Sequence, residues 1–264
     1  MIDIHSHILW GLDDGAKNEE ISTEMLEIAK KETIEHIIVT PHFIVGHNTY
    51  DQSLLAARMQ EVQQKIDQNG WSIQLHMGQE LFLDPDLEEL WEKGAYASLA
   101  NSNYLLIEFP MSQIPSYTKD VLYRLQLKGL IPIIAHPERY REIQKDPNQL
   151  YEFLERGCFA QINTSSMTGI FGEKVAQTAK ILWEHNMVHF VGSDAHTNTK
   201  RAPRFLQSYE LATQWVGSEK TQQVFEKNGK YILQNQLLPF SSPKNYQPKK
   251  KSFFHITLQK LLNA

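Results

Sequence analysis

The stretch Ile131-Pro132-Ile133-Ile134-Ala135-His136 is a short run of mostly apolar residues that ends in a histidine. Such a run is typical of a strand buried on both faces of a parallel sheet, because a half-buried strand would alternate apolar and polar residues. Residues 36–42 repeat the pattern, with Ile37-Ile38-Val39 followed by Thr40-Pro41-His42. The two runs predict parallel strands that present polar side chains at their carboxyl ends.

Seven runs of this kind occur along the chain, separated by longer segments with helical spacing. Ile21, Met25, Ile28 and Ala29, for example, fall on one face of a helix. The alternation of strand and helix predicts a parallel α/β fold. The predicted strands are residues 2–5, 36–42, 73–80, 104–109, 131–136, 158–163 and 188–194.

Two further helices are indicated by their ends. Asp84-Pro85 and Asp146-Pro147 each offer an aspartate as N-cap, followed by proline at the first helical position. Gly94 and Gly157 follow where those helices would end. The sequence therefore predicts a helix that begins at each Asp-Pro pair.

The composition limits the class of protein. The chain has 264 residues, which fits one large domain or two small ones, and its 41% apolar content is enough for a substantial core. A net charge of −5 argues against binding to nucleic acid, which needs a basic face. Cys158 is the single cysteine, and we recognise no signal peptide or membrane-spanning apolar run, so we expect a cytoplasmic protein.

Side chains that can bind metals stand at the ends of six of the seven predicted strands. In a closed barrel of parallel strands these ends meet at one mouth, whereas an open sheet would spread them along an edge. We therefore predict that the sheet closes into a barrel. The side chains are His5, His7, His42, Glu80, Glu108, His136, Asp194 and His196.

The spacing within two of these groups supports metal binding. In His5-x-His7 and Asp194-x-His196 the paired side chains are two residues apart, so they point the same way on an extended chain. Imidazole and carboxylate are the usual ligands of zinc, manganese and iron. The other histidines fit no strand end and are interpreted as structural or surface residues: His36, His47, His76, His185, His189 and His255.

Several short motifs follow one another along the chain: His5-Ser6-His7, Leu12-Asp13-Asp14-Gly15-Ala16, Thr40-Pro41-His42, Glu80, Glu108, His136-Pro137-Glu138-Arg139-Tyr140 and Ser193-Asp194-Ala195-His196. Their order resembles the polymerase-and-histidinol-phosphatase (PHP) superfamily, and more narrowly the bacterial manganese-dependent tyrosine phosphatases of capsule and exopolysaccharide operons. The resemblance covers about residues 1–215. It implies a distorted seven-stranded (β/α) barrel of PHP type that holds three divalent metal ions, with manganese the first choice and iron or zinc as alternatives.

By position, the resemblance implies nine metal ligands, with Glu80 a natural bridge between ions. Asp13 competes with Asp14 for one of the nine positions, and the sequence leaves that choice open. The implied ligands are His5, His7, Asp14, His42, Glu80, Glu108, His136, Asp194 and His196.

The implied chemistry is hydrolysis of a phosphate ester by a metal-bound hydroxide, since a bound cation lowers the pKa of water to about 7. Arg139 is the candidate for a bidentate phosphate clamp, and Arg201 is a second phosphate-binding candidate. The competing interpretation makes Arg139 a surface residue paired with a neighbouring glutamate. Asp194 and His196 are the candidates for protonating the leaving oxygen.

Two classes of enzyme are excluded by missing motifs. Cys158 opens Cys-Phe-Ala-Gln-Ile-Asn-Thr and lacks the arginine of the Cys-x5-Arg motif that a thiol phosphatase needs. We therefore predict that Cys158 is a buried structural residue. The chain also lacks the Gly-x4-Gly-Lys-Ser/Thr loop of a nucleotide-binding kinase.

Three functions remain open. The first is hydrolysis of phosphotyrosine in the tail of a membrane-associated tyrosine kinase that controls polysaccharide export, with Phe43, Tyr140 and Phe171 as candidates to flank the aromatic ring. The second is hydrolysis of histidinol phosphate or another small phosphomonoester. The third is a non-catalytic barrel that serves as a scaffold. The oligomeric state is left open.

The composition changes near Pro239. Residues 1–240 are predicted to form the phosphoesterase barrel, and residues 241–264 a linker and a short amphipathic tail. The tail, residues 253–262, is preceded by Lys249-Lys250-Lys251. A docking element, a helix packed on the barrel and a frayed terminus are the alternatives for it.

Overall fold

The computed structural model describes residues 1–48 and 52–248 of the chain. Short strands alternate with helices throughout this part. The strands are β1 (Ile2–Ser6), β2 (His36–Val39), β3 (His42–Phe43), β4 (Gln74–Met77), β5 (Glu80–Phe82), β6 (Tyr104–Glu108), β7 (Ile131–Ala135), β8 (Phe159–Asn163) and β9 (Phe190–Gly192). The α-helices are α1 (Glu19–Lys31), α2 (Gln52–Gln68), α3 (Leu87–Glu92), α4 (Thr118–Leu127), α5 (Arg141–Lys145), α6 (Asn148–Leu154), α7 (Thr164–Met167), α8 (Glu173–Glu184), α9 (Leu206–Val216), α10 (Ser218–Gln222) and α11 (Asn228–Leu233).

The strands pair in parallel and fall into two sheets, of order β1-β2-β4 and β3-β5-β6-β7-β8-β9. The predicted strands 36–42 and 73–80 each contribute to both sheets, because each is interrupted near its carboxyl end. Pro41 interrupts the first, since proline has no amide hydrogen for the ladder. Gly78 lies in the second interruption, where a Cβ would come within 2.9 Å of Ile38.

Strands β1 and β9 lie side by side at the edges of the two sheets. The Asp194 amide donates to the His5 carbonyl at 2.7 Å, and the His7 amide donates to the Ala195 carbonyl at 2.9 Å. Gly192 permits this approach, because a Cβ there would lie 2.5 Å from the Cβ of His5. The result is a strongly curled parallel sheet, which confirms the predicted α/β class.

The helices follow the predicted patterns with one correction. In α1 the buried residues include Met25 and Ala29, on the predicted face. The two Asp-Pro pairs, however, precede their helices, which begin at Leu87 and Asn148. The reason is local: the Asp84 carboxylate accepts the Asp86 amide, and the Asp146 carboxylate accepts the Asn148 amide, so each aspartate closes a turn ahead of its helix.

The apolar core has two parts, divided by the alternation of side chains along the strands. On β6, Leu105 and Ile107 pack with the cluster that lies between the sheet and the helices. Tyr104 and Leu106 point the other way, into a second cluster within the curl. Glu108 continues this inner row. The inner apolar cluster therefore supports a polar end of the curl, where the candidate site lies.

Residues 241–248 contain no helix or strand and lie along the surface of the fold. The Lys244 amide donates to the His185 carbonyl at 2.8 Å, and Tyr246 exchanges two hydrogen bonds with Asn148. The amphipathic tail proposed for residues 253–262 lies outside the described residues. Among the described helices, none is long and apolar enough to cross a bilayer.

Candidate metal centre

The nine side chains implied as ligands come together at the polar end of the curled sheet. Eight of them are buried or nearly so, and the side chain of Asp14 is 68% exposed. Their positions are His5 in β1, His7 just after it, Asp14 in the loop before α1, His42 and Glu80 at the starts of β3 and β5, Glu108 at the end of β6, His136 just after β7, and Asp194 and His196 after β9.

Glu80 lies at the centre of the cluster. Its Oε2 atom is 3.1 Å from His5 Nε2, 3.2 Å from His7 Nε2 and 3.0 Å from His42 Nδ1. Its Oε1 atom is 2.9 Å from His136 Nε2. Burial alone would raise the pKa of Glu80, but the surrounding imidazoles, His5 first, hold it well below its usual value. Glu80 is therefore a fixed negative charge among four imidazole rings.

His5 and His7 direct their Nε2 atoms at each other, 3.1 Å apart. The Nδ1 atom of His5 is 2.9 Å from Gln161 Oε1, and the Nδ1 atom of His7 is 2.7 Å from Asp13 Oδ2. In each ring the Nδ1 atom donates a hydrogen bond to this neighbouring oxygen. The neutral tautomer therefore leaves a lone pair on Nε2 of each ring. Two lone pairs held face to face in a buried site fit a cation between or beside them.

The two neighbouring aspartates have different surroundings. Asp13 accepts hydrogen bonds from His7 Nδ1, from the Gly15 amide at 2.9 Å and from the His42 amide at 2.9 Å. Asp14 Oδ1 lies 3.5 Å from His42 Nε2 and 3.3 Å from the Nε2 atom of the last histidine in the cluster, His196. Asp13 therefore orients the ring of His7, whereas Asp14 faces ligand nitrogens directly.

Glu108 and His136 occupy the side of the cluster next to Glu80. Glu108 lies 3.9 Å from His42 Nδ1 and 3.6 Å from His136 Nε2. Burial and the neighbouring Glu80 carboxylate raise the pKa of Glu108 to about 8. Burial and the Arg139 guanidinium lower the pKa of His136 to about 4. This corner thus holds a neutral imidazole and more carboxylate than the protein alone balances, which suits a cation.

Both predicted phosphate-binding arginines contact Asp194. Arg139 Nη1 is 2.8 Å from Asp194 Oδ2, and Arg201 Nη2 is 2.7 Å from Asp194 Oδ1. Burial would raise the pKa of Asp194, but His5, Arg201 and His196 together hold it far below its usual value. Glu138 and Glu142, the glutamates near Arg139 in the sequence, accept backbone amides instead: Glu142 accepts the Ile114 amide, and Glu138 accepts the Asn163 amide.

Two of the candidate ligands have left-handed backbone conformations. His136 has φ 32° and Asp194 has φ 49°. Such values cost free energy for residues other than glycine and concentrate at functional sites. Gly15 allows another close approach, because a Cβ there would lie 2.2 Å from the His7 carbonyl oxygen. The backbone is thus shaped to bring these side chains together.

Three groups of these residues bring ligand atoms within 4.8 Å of one another. His7, His42 and Glu80 each belong to two of the groups, so cations held in them would be neighbours. The groups are His7, Asp14, His42 and His196; His5, His7 and Glu80; and His42, Glu80 and Glu108.

Two of the three aromatic candidates lie in the core. Phe43 is 2% exposed and contacts Tyr96, and Tyr140 is 1% exposed and stacks on Phe109. Neither ring can flank a substrate, so that expectation is wrong for them. Phe171 is half-buried and lies at the edge of the site, under the arginines.

Cys158 and the remaining histidines lie outside the cluster, as predicted for those that the structure describes. Cys158 is 3% exposed, and burial raises the pKa of its thiol to about 12, which leaves it unreactive. His36 and His76 contact each other on β2 and β4, and His189 is buried beside Phe159. His255 lies outside the described residues.

The supporting hydrogen bonds were not predicted from the sequence. Gln161 Oε1 accepts a hydrogen bond from His5 Nδ1, and the Gln161 amide donates to Asn163 at 2.9 Å. Asn163 in turn donates to Asp194 at 2.7 Å. Asp3 accepts the Ser193 hydroxyl at 2.6 Å and so ties β1 to β9. The sequence did contain a signal for this support, because Gln161 and Asn163 are polar residues two apart within a predicted buried strand. Neither residue, however, is a usual metal ligand.

Known proteins resemble this chain over most of its length. The family described as capsular polysaccharide synthesis, CpsB/CapC, matches residues 1–234. The chain belongs to the CpsB/CapC family. One relative is the tyrosine-protein phosphatase YwqE of Bacillus subtilis (strain 168), which is 36% identical over 253 residues, 96% of this chain and 99% of YwqE.

Solved structures extend the comparison. A crystal structure from work on YwqE of Bacillus subtilis and CpsB of Streptococcus pneumoniae, described as unique metal-dependent tyrosine phosphatases, superposes with a TM-score of 0.89. It is 35% identical and the match covers 94% of this chain and 100% of that one. A histidinol phosphate phosphatase from Lactococcus lactis matches with a TM-score of 0.51, at 16% identity over 93% of this chain and 98% of that one. That second likeness shows the fold alone.

Proposed function

We propose that this chain is a metal-dependent protein-tyrosine phosphatase. The observation that carries the proposal is the position of Glu80 Oε2, which is buried and lies 3.0 to 3.2 Å from three ring nitrogens. Within the described part of the chain it nonetheless accepts no hydrogen bond of good geometry. A divalent cation satisfies such a donor set. Relatives in Bacillus subtilis and Streptococcus pneumoniae are named tyrosine-protein phosphatases, which supports the activity.

We infer that the site holds three divalent ions, with manganese preferred and iron or zinc as alternatives. The three overlapping groups of ligand atoms support the number. Mixed imidazole and carboxylate donors suit these metals, whereas five histidines suit magnesium poorly. Glu80 belongs to two of the groups, and its two carboxylate oxygens face different imidazoles, so it would help to hold neighbouring ions.

The assignment of Asp14 rather than Asp13 as a ligand rests on their contacts. Asp13 already accepts three hydrogen bonds and holds the His7 ring, which is the usual role of a carboxylate behind a ligand histidine. Asp14 faces His42 and His196 and has exposed surface left for an ion. The proposed ligand set is therefore His5, His7, Asp14, His42, Glu80, Glu108, His136, Asp194 and His196.

The phosphate group would bind between the ions and the two arginines. Arg139 and Arg201 reach Asp194 from a partly exposed position, with side chains 20% and 26% exposed, so their remaining donors are open to a ligand. Guanidinium groups match phosphate oxygens in pairs. When bound, the ions supply Lewis-acid activation of water and of the phosphoryl oxygens.

Neither candidate proton donor is well suited to that role. Asp194 stays ionised, as its low pKa shows, and burial together with His7 lowers the pKa of His196. His196 Nδ1 also lies 3.0 Å from the Asp194 carbonyl oxygen, which leaves Nε2 with its lone pair. We therefore assign both to metal binding. A phenolate with a pKa of about 10 leaves with little assistance, and solvent can protonate it.

The proposed substrate is phosphotyrosine in the tail of the membrane-associated kinase that controls capsular or exopolysaccharide synthesis, and the proposed location is the cytoplasm. Membership of a capsule synthesis family supports this setting. We further propose that the two sheets act as one distorted seven-stranded barrel, supported by the hydrogen bonds between β1 and β9. The barrel would comprise residues 1–240. Residues 241–264 would form a linker and a tail.

A panel of four substrates tests the proposed function. We expect the manganese-loaded protein to hydrolyse a phosphotyrosine peptide faster than matched phosphoserine and phosphothreonine peptides and faster than histidinol phosphate, measured as kcat/KM. The physical reason is the better leaving group, since phenol is far more acidic than an alkyl alcohol. A preference for histidinol phosphate would instead support a small-molecule phosphatase, and no hydrolysis of any substrate would support a scaffold.

A further inference from the structure

The loop between α7 and α8 holds Ile170 and Phe171 at the centre of a tight turn. Gly169 and Gly172 flank the pair with φ values of 85° and 96°, which glycine adopts readily. The Gly172 amide donates to the Gly169 carbonyl at 2.9 Å, and the Ile170 amide donates to the Ser165 carbonyl at 3.2 Å. The turn is therefore closed on itself and attached to α7, so the two apolar residues have a fixed place.

This turn lies directly beside the candidate phosphate-binding groups. The Arg139 guanidinium carbon is 4.5 Å from the centre of the Phe171 ring, and that of Arg201 is 5.7 Å away. Both guanidiniums also contact Asp194. One aromatic ring thus lies against both arginines at the edge of the metal centre.

The exposure of the turn needs an explanation. Ile170 is 44% exposed, and Phe171 is partly exposed beside it. Single exposed apolar residues are common and need no special explanation. Here, however, the exposed Ile170 adjoins Phe171, whose partly exposed ring lies against two guanidinium groups, where a polar side chain would be better solvated. An apolar part of a ligand would account for them.

We propose that Ile170 and Phe171 form a wall that contacts the aryl ring of the substrate and makes the site selective for aryl over alkyl phosphate esters. The inference rests on the proposed phosphatase function and names its specificity determinant. In an aryl phosphate a single oxygen joins phosphorus to the ring. A phosphate held by Arg139 and Arg201 therefore brings the ring of the substrate close to Phe171, which lies against both arginines.

The test measures binding of two non-hydrolysable anions, phenylphosphonate and methylphosphonate, as competitive inhibitors of the manganese-loaded protein. They differ only in the group that would meet the wall. We expect Phe171→Leu to weaken phenylphosphonate about two- to tenfold, the usual effect of losing one aromatic pair, and to leave methylphosphonate unchanged. Phe171→Tyr should restore the preference. Phe240→Leu, the same change at a phenylalanine that is 58% exposed, is the matched control and should change neither.

Three results separate the alternatives. Equally weaker binding of both phosphonates in Phe171→Leu would mean that the ring only positions Arg139, and it would overturn the wall. Unchanged binding of both would overturn it as well. Metal content and thermal stability of each variant show whether the protein has remained folded and loaded. If the wild-type protein itself fails to hydrolyse phosphotyrosine, the proposed function is wrong, whereas normal wild-type turnover with an unchanged ratio overturns the wall alone.

Discussion

At the scale of single residues, Asp194 connects the metal-binding and phosphate-binding parts of the candidate site. Its carboxylate contacts Arg139, Arg201, Asn163 and His196 while its backbone is held in a left-handed conformation. Arg139 and Asn163 contact its Oδ2 atom, whereas Arg201 and His196 contact its Oδ1 atom. The position of both arginines therefore depends on this one carboxylate.

Arg139→Ala is predicted to lower kcat/KM for a phosphotyrosine peptide about 10²- to 10³-fold while the metal content stays unchanged. The reason is the loss of a charge-assisted donor that faces the transferring phosphoryl group. Arg204→Ala is the matched control, since that arginine is 59% exposed and only reaches Glu32 at 4.0 Å. Wild-type kinetics for Arg139→Ala would show that Arg139 has no role in binding phosphate.

The two aspartates should respond differently to substitution. Asp14→Asn is predicted to reduce the number of bound ions, because it removes a carboxylate that faces two ligand nitrogens. Asp13→Asn should keep the number but weaken metal affinity about 10- to 100-fold, because it only orients His7. Metal titration followed by elemental analysis measures both quantities. The reverse pattern would make Asp13 the ligand.

The residues that can be predicted from the sequence are those whose side chains have a distinctive chemistry. Histidines and carboxylates at strand ends identify the cluster, because few other roles place them there. The choice between Asp13 and Asp14 depends on which way each side chain points, and neighbouring residues in a loop give no such signal. Gln161 and Asn163 act through their position behind His5 and Asp194, which only the packed strands reveal.

At the scale of elements, the apolar runs predict the strands well but not their interruptions. Two predicted strands each break near their carboxyl ends, and His42 and Glu80 begin new strands rather than ending the earlier ones. The breaks allow each chain segment to leave one sheet and join the other. Periodicity does not show this, since apolar residues occur on both sides of each break.

His189 provides a prediction that concerns the β8–β9 pair. Burial, with a smaller effect from Lys220, lowers the pKa of His189 to about 3, and its Nδ1 accepts the Ala160 amide. The unfolded chain binds a proton near pH 6.5 and the folded chain does not. The stabilisation is therefore complete above pH 6.5 and is lost as the pH falls toward 3.

The measurement is the free energy of unfolding at pH 7 and pH 5 for the wild type and for His189→Asn, whose amide oxygen can still accept a hydrogen bond. The wild type should lose about 2 kcal/mol more than the variant between the two pH values. The other histidines titrate in both proteins and cancel from the difference. Equal losses would show that His189 is not held neutral in the fold.

At the scale of the whole molecule, the curl of the sheet produces the site. Side chains from seven separate regions of sequence meet only because β1 approaches β9, which Gly192 permits. The alternation of strands and helices predicts this arrangement in outline. It does not predict how the curl is divided between two sheets, because that depends on hydrogen bonds between residues far apart in the chain.

The most direct test of the central claim is hydrolysis of a phosphotyrosine peptide by protein stripped with a chelator, before and after divalent metal is restored. Bound metal is measured in the same samples. We predict that the stripped protein is inactive, and that manganese restores activity in proportion to the ions bound and more effectively than magnesium. Full activity in protein free of metal would contradict the account.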